Sequence, residues 1–235
     1  MDFKIVHIDE TDSTNRWLRS FCSKESLVVV AEYQTAGKGC GSNSWESERG
    51  KNLTFSMLIH PTDIPANQQF RITEIVSVAL CKTLEHYIDH KVEIKWPNDI
   101  YVGDKKICGM LIENSLQGNT IKDSIIGIGL NVNQTVFLSD APNPVSLRQL
   151  TGRDFDRDEL LNMFLDVFET VERCDTVSSS YRQRLYRRKG RCSFDDKEGR
   201  FEAEIKEVLE DGRLVLIDTN GKQRVYAFKE VAFVV

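Results

Sequence analysis

The sequence predicts an α+β fold in which helices pack on a mixed β-sheet, with a small β-barrel at the C-terminal end. Strand patterns follow one another with one long helix after the second, unlike the regular alternation of a doubly wound fold. The chain has 235 residues, of which 40% are hydrophobic, and suits one large domain with a small appendage. We therefore predict a main domain over residues 1–185 and a small barrel over residues 190–235.

Three segments of the N-terminal half show the periodicity of regular secondary structure. Residues 27–33 are β-branched and apolar, which predicts a strand. Apolar side chains alternate with others over residues 53–59, and this pattern predicts a strand with one buried face. Between residues 66 and 88, apolar side chains recur on one helical face, so we predict a long helix there.

The central part of the chain predicts a series of strands. Residues 92–96 and 99–102 are predicted strands around a turn, and the turn sequence "GDKK" makes residues 100–113 a hairpin. A further strand is predicted over residues 124–133. Downstream, Asp156 precedes a helical pattern and is predicted to cap that helix.

The C-terminal part of the chain is rich in short strand patterns. Residues 181–190 are polar and basic, and they predict a boundary. Beyond them, three strand patterns are separated by the hairpin turn sequences "EDGR" and "TNGK". Consecutive short strands of this kind predict a small barrel or sandwich that packs on the main domain.

Composition excludes several classes of protein. The net charge of -5 is spread over interspersed acidic and basic residues, which argues against a dedicated nucleic-acid binder. No apolar run approaches the ~18 residues of a membrane span, and the first ten residues lack the features of a signal peptide. The six cysteines form no C-x-x-C pair, which indicates reduced thiols. We therefore predict a cytoplasmic protein.

A glycine-rich loop, "AEYQTAGKGCGSNSW", follows the first predicted strand. Glycines let backbone N–H groups converge on an anion, and Lys38 adds a positive charge. The spacing matches neither G-x-G-x-x-G nor a P-loop. A surface connection with Trp45 anchoring its far end is the alternative interpretation.

The stretch "KWPNDIYVGDKKICG" groups polar and charged residues on one strand-turn-strand unit. They are Lys95, Asn98, Asp99, Lys105 and Lys106. Lysines beside Asn and Asp suit a polyphosphate with Mg²⁺, because they neutralise charge and orient oxygen atoms. The alternative is a solvated hairpin in which Asn98 and Asp99 serve as turn residues.

Two shorter motifs carry polar side chains at the ends of predicted elements. "DSTN" at residues 12–15 either caps a helix that begins at Arg16 or contributes polar groups to a site. In "GIGLNVN", Asn131 ends a strand, where it either faces a ligand or bonds a neighbouring loop.

In this order, the motifs resemble the catalytic region of biotin protein ligases, also called biotin–[acetyl-CoA-carboxylase] ligases. The matching pieces are "DSTN", "AEYQTAGKG…W", "GKNLTFS", "KWPNDIYV…DKKICGMLIE" and "IIGIGLNVN", and "KWPND" followed by K-x-x-G is the most specific. The resemblance runs from Thr11 to Asn133. It implies the biotin/lipoate ligase fold, which is like that of class II aminoacyl-tRNA synthetases.

The resemblance also implies a reaction. ATP would activate biotin as biotinyl-5′-AMP in the presence of Mg²⁺, and a lysine of a biotin carboxyl carrier protein domain would then accept the biotin. Three alternatives stay open: a lipoate or octanoate ligase on the same fold, a non-catalytic biotin-binding protein, and an unrelated α+β domain.

Residue roles follow from the same resemblance. Lys106 would be the catalytic lysine between the biotin carboxylate and the α-phosphate. Hydrogen bonds to the biotin ureido ring would come from Ser13, Thr14, Asn15 and Gln34. The adenylate would be covered by Lys38, Gly39 and Cys40, with space for the ligand beside Gly109. The ATP-binding residues would be Lys38, Trp45, Lys95, Asn98, Lys106 and Asn131. Asp99 would place Mg²⁺ or orient a lysine.

The glycine-rich loop departs from the family pattern. Relatives often carry basic residues at positions 40 to 42, where this chain has Cys40, Gly41 and Ser42. Three interpretations stay open. Backbone amides and Lys38 would suffice to bind the phosphate, or Lys51 or another lysine would replace the missing charge. In the third, the adenylate intermediate would be held loosely. We expect Cys40 to be a small loop filler rather than a redox group.

The position of the first motif and the composition lead to expectations about partners. "DSTN" begins twelve residues into the sequence, so we expect a short form without an N-terminal DNA-binding domain and without specific DNA binding. Both a monomer and a homodimer are compatible with the sequence. The acceptor protein and the role of the C-terminal barrel stay open.

Overall fold

Two β-sheets, one of seven strands and one of five, organise the chain. The computed structural model of the protein describes residues 3–21, 23–41, 43–61, 64–138 and 143–234. Ser42, which belongs to the loop singled out above, therefore lies outside the described residues. No helix in the described part of the chain is long and apolar enough to cross a membrane.

The first sheet is mixed, as predicted. Its strands are β1 (Lys4–Thr11), β2 (Leu27–Gln34), β3 (Leu53–Ile59), β4 (Val92–Lys95), β5 (Asp99–Val102), β6 (Lys105–Gln117) and β7 (Thr120–Leu130). Their order in space is β1-β2-β3-β7-β6-β5-β4. Strands β1 and β2 are parallel and all other neighbours are antiparallel.

Helices cover both faces of this sheet. They are α1 (Thr14–Ser20), α2 (Phe70–Glu85), α3 (Leu147–Thr151), α4 (Arg157–Glu172) and α5 (Val177–Gln183). The larger core lies on the face that packs against α2 and α4, where Phe55 of β3 meets Phe164 of α4. A smaller cluster lies on the opposite face, where Leu18 of α1 packs on Val29 and Leu58.

Strand β3 corrects one prediction. The alternating pattern predicted one buried face, but all seven of its residues are buried. Phe55 and Met57 belong to the larger core, Leu58 belongs to the smaller cluster, and Ser56 contacts the start of α1. The second face is buried because α1 covers it, which the local pattern of β3 did not reveal.

Other elements differ from the prediction in their bounds. The predicted helix over residues 66–88 is a 3₁₀ turn, Ala66–Gln68, followed by α2. The basic stretch at residues 181–190 contains three buried side chains, those of Tyr181, Leu185 and Tyr186. These residues pack into the core because aromatic and aliphatic groups alternate with the arginines. The division into two domains remains a prediction.

The C-terminal strand patterns form the second sheet. Its strands are β8 (Cys192–Asp196), β9 (Gly199–Val208), β10 (Leu214–Asp218), β11 (Gln223–Tyr226) and β12 (Val231–Phe233), in the order β11-β10-β9-β8-β12. The turns predicted from "EDGR" and "TNGK" connect β9 to β10 and β10 to β11. All pairs are antiparallel.

A close contact joins the second sheet to the first. The indole N–H of Trp96 donates a hydrogen bond of 2.8 Å to the carbonyl oxygen of Gly212. Gly212 has a positive φ of 87°, and a β-carbon there would overlap the ring of Phe70. Glycine is therefore required twice at this turn, for its backbone angle and for the approach of the ring.

The predicted cap of α4 is confirmed and yields a stability prediction. The Asp156 carboxylate accepts hydrogen bonds from the backbone N–H groups of Asp158 at 2.8 Å and Glu159 at 3.1 Å. Replacing Asp156 by Ala should lower the free energy of unfolding by about 0.5–2 kcal/mol, because two helix N–H groups lose their acceptor. Urea unfolding measures this change. Asp156→Asn keeps an acceptor oxygen and should lose less, and an equal loss in both variants would contradict the capping role.

Candidate active site

A cavity of about 970 Å³ lies between the first sheet, the glycine-rich loop and the second sheet. Every site residue predicted from the sequence lines it: Ser13, Thr14, Asn15, Gln34, Lys38, Gly39, Cys40, Trp45, Lys95, Asn98, Asp99, Lys106, Gly109 and Asn131. Lys51 and Lys105 are not among the lining residues. Motifs separated by over one hundred residues of sequence thus meet in one place.

The start of α1 forms a buried polar end of the cavity. Ser13 is the N-cap residue, but its side chain makes no capping hydrogen bond, and the helix begins at Thr14 rather than at Arg16 as predicted. The backbone N–H and the hydroxyl of Thr14 both donate to Gln34 Oε1, at 2.8 and 3.0 Å. Helix capping therefore does not explain why Ser13 carries a hydroxyl group at this position. The two bonds to Gln34 fix the position of Thr14.

Asn15 is held by partners on two strands. Its side-chain amide donates to the carbonyl oxygen of Leu111 at 3.3 Å and to Glu113 Oε2 at 2.9 Å. The hydroxyl of Ser56 lies 2.6 Å from Asn15 Oδ1 and 2.7 Å from Thr14 Oγ1. These bonds fix the polar side chains in position, since each of them is buried.

Sequence reasoning missed Ser56. A signal was present, because Thr54 and Ser56 alternate with the apolar residues of β3 and therefore share the opposite face. Two buried hydroxyl groups on an otherwise apolar strand need hydrogen-bond partners, and a polar site supplies them.

Glycines on β6 and β7 shape the floor of the cavity. A β-carbon at Gly127 would overlap the side chain of Asn15, and a β-carbon at Gly129 would overlap the indole of Trp45. At Gly109 it would lie 3.1 Å from both Lys106 Nζ and the Trp45 ring. The side chains of Asn15 and Trp45 therefore lie directly on the backbone of the sheet.

The other end of the cavity is cationic. Lys106 Nζ lies 2.6 Å from Asp99 Oδ1, and both side chains are about three-quarters buried. Lys95 Nζ donates a hydrogen bond of 3.0 Å to the hydroxyl oxygen of Tyr101. Burial lowers the pKa of the Lys95 ammonium, and the nearby Asp99 carboxylate opposes that shift. This end is suited to an anion, which would restore favourable interactions to buried ammonium groups.

The glycine-rich loop folds back on itself beside this cationic end. The N–H of Gly39 donates to the carbonyl oxygen of Asn43 at 2.8 Å, and the N–H of Trp45 donates to that of Gly37 at 3.0 Å. These bonds bring the two arms of the loop together, and Lys38, Gly39, Cys40 and Asn43 line the cavity.

Cys40 points into the structure from this loop. Its Sγ accepts a hydrogen bond of 3.0 Å from the side-chain amide of Asn98, which also donates to the carbonyl oxygen of Met110 at 2.5 Å. Burial raises the pKa of the Cys40 thiol. A protonated thiol is a poor nucleophile, so this environment favours the loop-filler interpretation over a redox role.

The contacts of Asn131 are those of the alternative interpretation, in which its side chain bonds a neighbouring loop. Its side-chain amide donates to the carbonyl oxygen of Val145 at 3.2 Å, and its backbone bonds Ile107 and Leu147. Asn131 therefore ties β7 to the following loop while it lines the cavity.

The second sheet supplies a wall that the sequence did not predict. The lining residues from this sheet are Phe228, Lys229, Val231, Ala232 and Phe233. Phe228 and Lys229 lie in the turn between β11 and β12, and the other three lie in β12. The sequence carried no recognisable chemical signal there, because a single lysine among apolar residues is common at the edge of a sheet.

Known proteins resemble this chain in sequence and in fold. A family model described as the biotin/lipoate A/B protein ligase family matches residues 7–131. The bifunctional ligase/repressor BirA of Bacillus subtilis is 34% identical over 167 residues, which are 69% of this chain and 50% of that protein. The biotin–[acetyl-CoA-carboxylase] ligase of Paracoccus denitrificans is 28% identical over 166 residues, 67% of this chain and 68% of that one. The chain spans about half the length of the BirA relatives it matches.

A solved structure shows the same fold. The biotin protein ligase from Aquifex aeolicus, in complex with biotin and ATP, superposes with a TM-score of 0.79 at 24% identity, over 97% of each chain. At this identity the likeness establishes the fold. The family model covers more than half of the chain, and so the chain belongs to the biotin/lipoate A/B protein ligase family.

Proposed function

We propose that the protein is an ATP-dependent biotin protein ligase. It activates biotin as biotinyl-5′-AMP and transfers the biotin to a lysine of a biotin carboxyl carrier protein domain, such as that of acetyl-CoA carboxylase. The observation that carries this proposal is the single cavity with a neutral polar end at Thr14, Asn15 and Gln34 and a cationic end at Lys106. Such a cavity suits a ligand with a neutral hydrogen-bonding ring at one end and a carboxylate at the other.

The polar end is the proposed site of the ureido ring of biotin. Ser13, Thr14, Asn15 and Gln34 offer hydroxyl and amide groups there, beside the apolar Met110 and Ile128. A buried ureido group without hydrogen-bond partners would cost roughly 1–3 kcal/mol per group. The network around Thr14 and Asn15 supports this assignment, because it holds the partners in place before the ligand binds.

The first chemical step joins two anions. An oxygen of the biotin carboxylate forms a bond to the α-phosphorus of ATP, and the bond from that phosphorus to pyrophosphate breaks. Lys106 neutralises the charge at the reacting atoms, and Asp99 orients its ammonium group from 2.6 Å. Lys38 and Lys95 bind the phosphates, while Trp45, Asn98 and Asn131 border the nucleotide.

We propose that Mg²⁺ is required and is held by the phosphates of ATP together with Asp99 Oδ2, because Asp99 Oδ1 faces Lys106. No cluster of three or more His, Cys, Asp or Glu side chains suited to a metal occurs in the described ranges. The donor set still fits, because Mg²⁺ at phosphate sites often has one or two carboxylates and substrate oxygens as ligands. When bound, the ion would offset the negative charge of the phosphates.

The second step uses the adenylate. The neutral amine of the acceptor lysine attacks the carbonyl carbon of the mixed anhydride. An amide bond forms, the nitrogen loses one proton to water, and AMP leaves with the electrons of the broken C–O bond. The exchange of one acyl bond for another needs no oxidant or reductant.

Cellular context and assembly are part of the proposal. We propose a cytoplasmic protein, which free thiols at the five described cysteines support. We also propose that it does not bind specific DNA sequences, since its net charge is -5. Residues 1–185 would be the catalytic domain and residues 190–235 the second domain, in a monomer or a homodimer.

Biotin-dependent exchange between ATP and pyrophosphate tests the proposed function. Exchange is measured with Mg²⁺ and biotin, with lipoate in parallel and no acceptor protein. We expect exchange with biotin and none with lipoate. Exchange with lipoate alone would assign a lipoate ligase instead, and biotin binding without any exchange would assign a non-catalytic biotin-binding protein.

The buried hydroxyl of Ser56 provides a test of the polar end. Ser56→Ala should raise the dissociation constant for biotin about five- to twentyfold, because Asn15 and Thr14 lose a neighbour that fixes them. The affinity for ATP alone should stay unchanged. Ser124→Ala is the matched control, since the buried Ser124 hydroxyl has no hydrogen-bond partner in the part of the chain that the structure describes. Equal biotin affinity in both variants would contradict a role for Ser56 in positioning Thr14 and Asn15 for biotin.

A further inference from the structure

The tip of the glycine-rich loop carries little charge of its own. Cys40 turns its thiol toward Asn98, and Gly41 has no side chain. Lys51, which the sequence suggested as a replacement, does not line the cavity. The catalytic candidate Lys106 lines it and is paired with Asp99. A phosphate beneath the loop tip therefore receives no positive charge from residues 40 and 41, and Lys38 and Lys95 are the cavity lysines already assigned to the phosphates.

Lys229 of the second sheet reaches this position. It lies between β11 and β12 and lines the cavity. A β-carbon placed on Gly41 would overlap Lys229 Nζ, which shows how closely the ammonium group approaches the loop tip. It forms no ion pair with any carboxylate of the described residues. Its neighbour Glu230 is engaged elsewhere, since its carboxylate accepts from the N–H of Ala227 at 2.7 Å.

The backbone at Lys229 is also unusual. Its φ is +69°, in the left-handed region that glycine adopts readily and lysine rarely. Strained backbone of this kind persists where the surroundings enforce it, and it is concentrated at functional sites. Glycine would suit the backbone better, so the ammonium group of the side chain is what position 229 contributes.

We propose that Lys229 binds the phosphate of the nucleotide from the second sheet and supplies the positive charge that Cys40 and Gly41 do not. This inference rests on the proposed function, because the phosphate belongs to ATP and then to the adenylate. The second sheet is thereby part of the ligand site. It completes the cavity with a charge that Cys40 and Gly41 of the loop lack.

The lifetime of the adenylate on the protein tests this role. Biotinyl-5′-AMP is formed on the protein with biotin, ATP and Mg²⁺, and its release is followed after a chase with unlabelled biotin. Lys229→Met and Lys229→Gly should release it about ten- to a hundredfold faster, as expected for the loss of one charge-assisted contact. Lys229→Arg should stay within about threefold of the parent protein, because arginine keeps the charge.

Two variants distinguish an effect of the Lys229 charge from an effect on folding. Lys229→Gly removes the strained backbone as well as the charge, so it should be at least as resistant to thermal unfolding as the parent protein while it releases the adenylate faster. Lys222→Met, in the turn between β10 and β11, removes an exposed lysine from the same sheet and should leave release unchanged.

Two outcomes distinguish this inference from the proposed function. Parent-like release from both Lys229→Met and Lys229→Gly would overturn the role of Lys229 and leave the ligase intact. Absence of biotin-dependent exchange in the parent protein would overturn the ligase. In that case titration with ATP and Mg²⁺ still tests Lys229, and equal ATP affinity of the parent and Lys229→Met would overturn the phosphate contact.

Discussion

Replacing Lys106 by Met should lower biotin-dependent exchange between ATP and pyrophosphate by about a hundred- to a thousandfold. The ammonium group is the cation that the structure holds beside Asp99 at the cationic end of the cavity. Methionine has a similar length and no charge, so the negative charge that accumulates on the α-phosphate loses its partner. Rates are measured at saturating biotin and ATP, so that the loss appears in turnover rather than in occupancy.

Two measurements make the Lys106 result specific. Lys105→Met changes the adjacent, exposed lysine, which does not line the cavity, and should leave the rate within about twofold of the parent protein. Thermal unfolding of Lys106→Met should remain cooperative, because the side chain belongs to the cavity wall and not to the core. Unchanged turnover in a folded Lys106→Met protein would exclude the catalytic role.

Replacing Phe164 by Ala should lower the free energy of unfolding by about 3–5 kcal/mol. Phe164 lies on α4 with 2% of its surface exposed. Its ring meets Phe55 of β3 edge-on, with centroids 5.6 Å apart, and meets Phe168 at 6.0 Å. Alanine would leave a cavity at the centre of the larger core, since the helix and the strand around it cannot both move inward.

Urea unfolding of Phe164→Ala, followed by circular dichroism, measures this loss. Asn162→Ala is the matched control, because Asn162 is exposed on the same helix and its replacement should change the free energy by at most about 0.5 kcal/mol. A loss below about 1 kcal/mol in Phe164→Ala would mean that the packing between α4 and β3 does not stabilise the fold as described.

Local patterns predicted those elements whose burial follows from their own sequence. Strand β2 is apolar along most of its length, and the cap at Asp156 is a contact between adjacent residues. Strand β1 was missed because charged and apolar side chains alternate irregularly along an edge strand that is only partly buried. Its place in the sheet comes from backbone pairing with β2, which leaves no pattern in the side chains.

The sequence motifs of the candidate site could be predicted. The residues that tertiary packing adds to the site could not. Thr14, Gln34 and Lys106 stand in stretches whose composition already suggested binding. Ser56 and Lys229 stand in strand patterns that are equally typical of an ordinary sheet. Only the packing of distant elements brings Ser56 against the cavity residue Thr14 and brings Lys229 to the cavity. The spacing of residues within each motif was compatible with both a binding role and a structural role. The roles of individual residues came from the resemblance to a family.

The wall that the second sheet adds to the cavity has a consequence for hydrolysis. A mixed anhydride reacts with water as well as with amines, so an adenylate would be hydrolysed if water reached it before the acceptor lysine. Val231 is buried against the cavity, and Phe228 and Phe233 place aromatic rings beside it. In the proposed ligase, hydrocarbon at this boundary would lower the access of water to the reactive carbonyl carbon. The Trp96–Gly212 hydrogen bond joins the second sheet to the first, so losing it should raise the rate at which the adenylate is hydrolysed.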